Sequence, residues 1–197
     1  MIINANVQGS VSPQPVWIRY VEGGMATVRF TQNVTTSQDA NGNTVYGYEE
    51  IEVQVPNLPN LESYLTSNAS FYWDQALAEA KVQQIVSLEI SLNNAYSTGF
   101  SSSAINNTAL TFPFDSTSQN IWAWLQGVVA DSTSSTFPAN VQVKDVNNNV
   151  YTVTYTQAQQ LVSDARAFFL EWSSHYHTLL GAVTTATTVP AVQVVTW

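Results

Sequence analysis

The 197-residue chain has no cysteine, only five Lys and Arg, two His, and no apolar run near the ~20 residues needed to span a bilayer. Each shortage closes off a class of chemistry. Without cysteine there is no disulfide framework, no thiolate metal site and no thiol nucleophile. Five basic residues against 14 acidic ones give a formal net charge of -9, which repels phosphate backbones and argues against nucleic acid as a partner. The sequence holds no Gly-x-Gly-x-x-Gly or Walker A loop to cradle a nucleotide, and no Gly-x-Ser-x-Gly elbow. Residues 1–10 lack a basic region followed by an apolar run, so a soluble product made in the cytoplasm, with no membrane insertion, is expected.

What the chain does have is apolar material, 45% of residues, enough for a core without staples. Its water-facing surface must come mostly from 73 Ser, Thr, Asn and Gln, because charged residues are only 10%. Residues 16–55 read as a three-stranded antiparallel meander. A first strand from Val16 to Val21 meets Gly23-Gly24, a pair suited to a tight turn. A second runs from about Ala26 to Val34, with Val28 and Phe30 alternating against Thr27, Arg29 and Thr31. After the turn residues 39–43, Thr44 to Val55 returns with Ile51, Val53 and Val55 on one face and Glu50, Glu52 and Gln54 on the other. Pro56 and Pro59 end the sheet.

Helices follow. A short one is expected from Leu61, with Asn60 as its N-cap and Leu61, Tyr64 and Leu65 on one side. A long one spans about Ser70 to Thr98 with a stripe through Trp73, Leu77, Ala80, Leu88 and Tyr96, widened by Val82, Ile85, Val86 and Ile90, and Gly99 is a plausible stop. Asp115 to Ser118 offer caps for a helix carrying Trp122 and Trp124, which point to different sides and predict a sandwiched helix. A second hairpin joins Val141–Lys144 to Val150–Tyr155 across an Asn-rich turn. Thr156 and Gln159 form a capping box for a helix that carries Leu161, Ala165, Phe168, Phe169, Trp172 and Tyr176 toward Gly181. Pro190 suits the first turn of a final helical segment, which ends in a short strand or tail at Trp197. The fold class is therefore α+β: an N-terminal antiparallel β meander, then a helical module with long amphipathic helices and a β-hairpin. The composition shift near Pro56 divides the chain into residues 1–56 and 57–197.

Candidates for chemistry are few. His175 and His177 lie two apart on a helix, where side chains diverge by about 200°, so they do not share a metal. Glu49, Glu50 and Glu52 are the only dense carboxylates, and Glu50 with Glu52 reads as a solvated strand face that discourages edge pairing. Trp73, Trp124 and Trp172 sit at helix-core positions, which leaves Trp17 and Tyr20 on the first strand as the candidate attachment surface. No catalytic, metal or cofactor-binding residue emerges, and an enzyme is not expected.

From Tyr72 onward the chain resembles an uncharacterised domain family of phage and prophage tail proteins, often encoded beside tail-fibre genes. The resemblance rests on the helix from Ala76 through Tyr96-Ser97-Thr98-Gly99-Phe100, the Phe112-Pro113 step with its capped helix, the hairpin before the helix of residues 156–180, and the end segment from Leu179 through Pro190 to Trp197. The strand Tyr46-Gly47-Tyr48-Glu49-Glu50 is similar to the region preceding that domain. The chain departs from the family in having little Lys or Arg along the first long helix. The resemblance implies a non-enzymatic structural protein of a bacteriophage virion, at the baseplate or the tail-fibre attachment. Its partners would be other tail or fibre subunits or copies of itself. The alternatives are a tail-fibre assembly chaperone absent from the mature virion, and a tail adhesin whose exposed aromatics bind host surface glycans.

Overall fold

Strict alternation in two adjacent strands organises the N-terminal half. In β3 (Met25–Gln38) and β4 (Thr44–Pro56), Ala26, Val28 and Phe30 lie opposite Val55, Val53 and Ile51, and all six are buried. The intervening pairs, Thr27 with Gln54, Arg29 with Glu52 and Thr31 with Glu50, occupy the other face. The computed structural model describes residues 2–197, the side chains of Ala5 and Asn6 excepted. Its architecture is α+β, beginning with the expected antiparallel meander.

The sheet has four strands where three were expected, in the order β1-β4-β3-β2, with β2 at Val16–Glu22. The added strand, β1 (Ile2–Gly9), pairs with β4, and its register slips between Asn4 and Val7. That slip breaks the two-residue period by which a strand is recognised.

The chain forms two compact units. One holds the residues up to Ile85 together with Ala182–Thr196, and the other holds Val86–Gly181 with Trp197. The composition shift at Pro56 marks the end of the sheet, whereas these divisions fall inside two long helices, α2 (Ala69–Ser97) and α4 (Tyr155–Thr185).

In the first unit the apolar sheet face is covered by α1 (Leu61–Ser67) and the start of α2. Tyr72 stacks on Phe30 at 4.8 Å, and Leu61, Leu65, Ala76 and Ala80 are buried. Asn60 begins α1 in a left-handed conformation (φ 60°) without a side-chain cap bond, and Tyr64 is exposed, so only Leu61 and Leu65 carry that helix's buried side. The terminal α5 (Val189–Gln193) packs near β1, capped by the Thr188 hydroxyl and buried through Val189 and Val192, and the chain then ends as a tail.

The second unit is built on aromatic rings. The hairpin β5 (Phe100–Ser102) and β6 (Leu110–Phe112) brings Phe100 against Phe112 and sets Phe100 edge-on to Trp122 at 4.9 Å. Trp122 lies on α3 (Ser116–Ala130), whose N-terminus is held by Asp115 accepting from the amides of Thr117 and Ser118. Trp122 is 6% exposed and its indole donates to the Pro113 carbonyl at 2.8 Å, whereas Trp124 is 54% exposed. The expected sandwich of α3 is therefore corrected: one side is buried and the Trp124 side is open.

The capping box of α4 lies two residues earlier than expected. Thr154 N–H donates to Gln157 Oε1 at 2.9 Å and Gln157 N–H approaches Thr154 Oγ1 at 3.4 Å. Thr154 is the first residue beyond the ladder of β7 (Gln142–Lys144) and β8 (Val150–Thr152), which Val153 closes by donating to Val141. At the far end α4 runs through Gly181 to Thr185, because Val183 is fully buried and anchors one more turn.

The turns before β4 and β8 are built alike. Asp39 accepts from the amides of Asn41 and Asn43 and from the Asn43 side chain, and Asp145 accepts from the equivalent groups of Asn147 and Asn149. The fourth position is left-handed in both, Gly42 in one and Asn148 in the other. Hydrogen bonds from the Asn43 side chain and amide hold the Asp39 carboxyl below the ordinary value. For Asp145 burial works in the opposite sense, but the bonds from Asn149, Tyr151 and Asn147 outweigh it and the carboxyl is again lowered.

Two expectations follow. A carboxyl lowered in the folded state adds stability above its unfolded pKa of about 3.9 and loses it as pH falls through the lower folded value. Urea midpoints should therefore drop steeply below about pH 4, and Asp145→Asn should lower the neutral-pH midpoint while flattening that acid slope; an unaltered slope would contradict the turn's role. Glycine changes should have opposite signs at two sites. Gly99 sits at φ +75° and a Cβ there would lie 2.3 Å from the Phe112 carbonyl oxygen, so Gly99→Ala should cost more than the roughly 1–3 kcal/mol of the backbone conformation alone. A Cβ at Gly181 meets nothing within 4 Å, so Gly181→Ala in the α4 interior should stabilise by about 0.5–1 kcal/mol in chemical denaturation.

Candidate functional site

The polar face of the sheet gathers aromatic and charged side chains from β2, β3 and β4. Register puts Trp17 opposite Arg29, and Arg29 opposite Glu52, so three adjacent strands contribute one row. A slip between Ile18 and Tyr20 returns Tyr20, opposite Thr27, to that same face. The structure thus places both expected attachment residues together, Trp17 at 48% and Tyr20 at 54% exposure. The Tyr20 hydroxyl donates to Glu22, which, with a smaller contribution from desolvation, raises its pKa.

Arg29 is the centre of the row. Its guanidinium carbon lies 5.4 Å from the centroid of the Trp17 ring, within cation–π range. Its Nε is 3.1 Å from Glu50 Oε2, and its Nη2 is 3.6 Å from Glu52 Oε2, which also receives Arg19 at 2.9 Å. Glu50 is only 4% exposed. The expectation of a solvated Glu50/Glu52 face is therefore overturned, for two reasons: β1 makes β4 an inner strand, and two arginines reach across from β2 and β3. Glu49 points elsewhere and is held by Gln32 at 2.9 Å and by Asn33 at 2.7 Å, with Asn33 in a left-handed bulge.

A strand-linking arm closes one side of this row. Thr31 donates through its amide to the Pro15 carbonyl at 3.0 Å and through its hydroxyl to the Gln14 carbonyl at 2.7 Å. Between the arm and the sheet lies a cavity of about 480 Å³, bounded by Pro13, Trp17, Arg29, Tyr48 and Glu50. Arg29 Nε and Glu50 Oε2 are buried and face each other as an ion pair, yet neither has an aligned hydrogen bond. The arrangement lines the cavity with one guanidinium, one carboxylate and flat aromatic walls.

Other candidates are placed apart. His175 and His177 lie on α4, the first edge-on to Trp197 at 4.8 Å and the second beside Tyr176, and no group of three or more His, Asp or Glu able to hold a metal occurs among the described residues. A cavity of about 430 Å³ in the second unit is lined by Asp115, Lys144 and Asp145, whose two carboxylates already serve as a helix cap and a turn. Sequence reasoning missed Arg29, Tyr48 and the arm. The available signal was Arg29 alternating on the polar side of β3 at a position that pairs with a Glu on β4.

No family model matches the chain, and neither a curated protein nor a solved structure is significantly similar to it.

Removing one partner of this pair should expose its cost. Glu50→Ala leaves the half-buried Arg29 without its nearest counter-charge and should destabilise by about 1–3 kcal/mol in denaturant titrations, whereas Trp17→Ala, at an exposed position, should change the midpoint little. Equal midpoints for wild type and Glu50→Ala would show that the pair is not coupled to the fold.

Proposed function

We propose that this chain is a non-enzymatic structural component of a bacteriophage tail, placed at the baseplate or the fibre attachment, and that it works by docking onto other tail protein. The observation that carries this reading is an outward apolar ridge on the part of α2 that belongs to the second unit: Val86 and Ile90, one four-residue step apart, are both exposed. A step of four keeps side chains on one line, so the two stand about 6 Å apart along the helix. Scattered apolar residues on a surface need no explanation, but an aligned row offers another helix or sheet a seam to bury. Exposed Ile121 and Trp124 on α3, three residues apart, repeat the arrangement. No helix among the described residues is long and apolar enough to cross a membrane, so a lipid-spanning role does not account for the ridge.

Mass spectrometry of purified particles and of lysates tests the proposal. The chain should be present in particles at a fixed ratio to other tail subunits. Its presence in lysate with absence from particles would replace this reading with that of an assembly chaperone. Val86→Glu with Ile90→Glu should abolish incorporation while leaving the melting temperature within about 2 °C of wild type, as exposed substitutions do. Trp17→Ala or Tyr20→Ala should weaken attachment without unfolding. Normal incorporation of all these variants would contradict docking through either surface.

A further inference from the structure

We propose that the cavity between Trp17, Arg29, Tyr48 and Glu50 binds a neutral saccharide. This stands independently of docking through α2, since it concerns the sheet's polar face alone. The cavity, about 480 Å³, falls within the usual range for small-ligand pockets, roughly 300–1,000 Å³.

Charge decides the class of ligand. Arg29 is flanked by Glu50 and Glu52, and Glu52 by Arg19, so two cations and two carboxylates cancel at the site. An anionic ligand would meet the Glu50 carboxylate and a chain of formal charge -9; a cationic one would meet the Arg29 guanidinium. A ligand of many hydroxyls and no charge fits without either conflict. Its hydroxyls would meet the two charged residues that line the cavity, Arg29 as a donor and Glu50 as an acceptor, whose Nε and Oε2 are themselves turned to each other at 3.1 Å. Trp17 provides the complementary surface. Arg29 lies over its ring while 48% of the residue stays open, which leaves an aromatic face for the C–H side of a pyranose. Tyr48 adds a second ring and a hydroxyl at the cavity wall.

The site is also pre-formed. The arm that roofs it is tied to Thr31 by two hydrogen bonds, at 3.0 and 2.7 Å, and Glu50 is fixed from the β1 side by Asn4 at 3.4 Å. A built pocket spares the ligand the cost of ordering its receptor.

The test uses the full chain and defined probes: methyl glycosides of glucose, galactose and N-acetylglucosamine, disaccharides of each, and glucuronic and sialic acid as charged comparators. Indole N–H signals are followed by NMR, and the Trp17 signal is the one missing from Trp17→Ala. At least one neutral probe should shift that signal saturably, and Trp17→Ala should weaken its binding about tenfold with an unchanged melting temperature. Glu50→Gln, which keeps the shape but removes the charge, should weaken it as well; should that variant fail to fold, Trp17→Ala alone carries the test. Silence of the Trp17 signal toward every neutral probe would overturn the proposal. So would tighter binding of the acidic sugars, or binding that survives Trp17→Ala unchanged.

Discussion

The alternation of β3 and β4 is the constraint on which the rest of the first unit depends. Because Phe30 must face Tyr72 and the core, its neighbour Arg29 must face the other way, and the same parity on β4 places Glu50 and Glu52 where that guanidinium can reach them. A shift of one residue that turned β3 over would bring Arg29 to the side of Val53, Ile51 and Tyr72 and turn Ala26, Val28 and Phe30 to water. Core formation and assembly of the polar row are thus one event seen from two faces. Neither can be altered without the other while the register holds.

The second unit achieves its order differently. It has little regular sheet, only two hairpins of three-residue strands, and relies on interlocked rings: Phe100, Phe112, Phe114, Trp122 and Phe168 meet mostly edge to face. Such contacts fix angles as well as distances, which lets short elements be positioned without long ladders. Polar caps do the remaining work, with Asp115 starting α3 and the Thr154–Gln157 box starting α4. A chain with only 10% charged residues uses neutral side chains for tasks often given to ion pairs.

Much of this was legible in the residues. The strand alternation, the Gly23-Gly24 and Asp-to-Asn turns, the Gly99 stop and the Asp115 cap are local signals, each set by chemistry within a few positions. What escaped depended on distant partners. β1 has no clean alternation because its register slips, and only its pairing with β4 identifies it as a strand. The Thr-x-x-Gln pattern occurs twice in overlapping frames, and the Val153–Val141 bond selects the earlier one. Gly181 has the residue type of a stop, but buried Val183 beyond it carries the helix onward. In the candidate site, Trp17 and Tyr20 could be singled out by residue type, whereas the burial of Glu50 required knowing that β1 and two arginines enclose it. On α2, an apolar period shows which residues align and does not show whether the partner belongs to the same chain.

That last point is where the functional account stands or falls. Hydroxyl-radical footprinting of the free chain and of purified tails reads side-chain exposure directly at Val86 and Ile90. Docking through the α2 ridge requires oxidation of both in the free chain and loss of that oxidation in assembled tails. Equal oxidation in both states would mean that no other polypeptide covers the ridge, and the account of this chain as a docking component would be wrong.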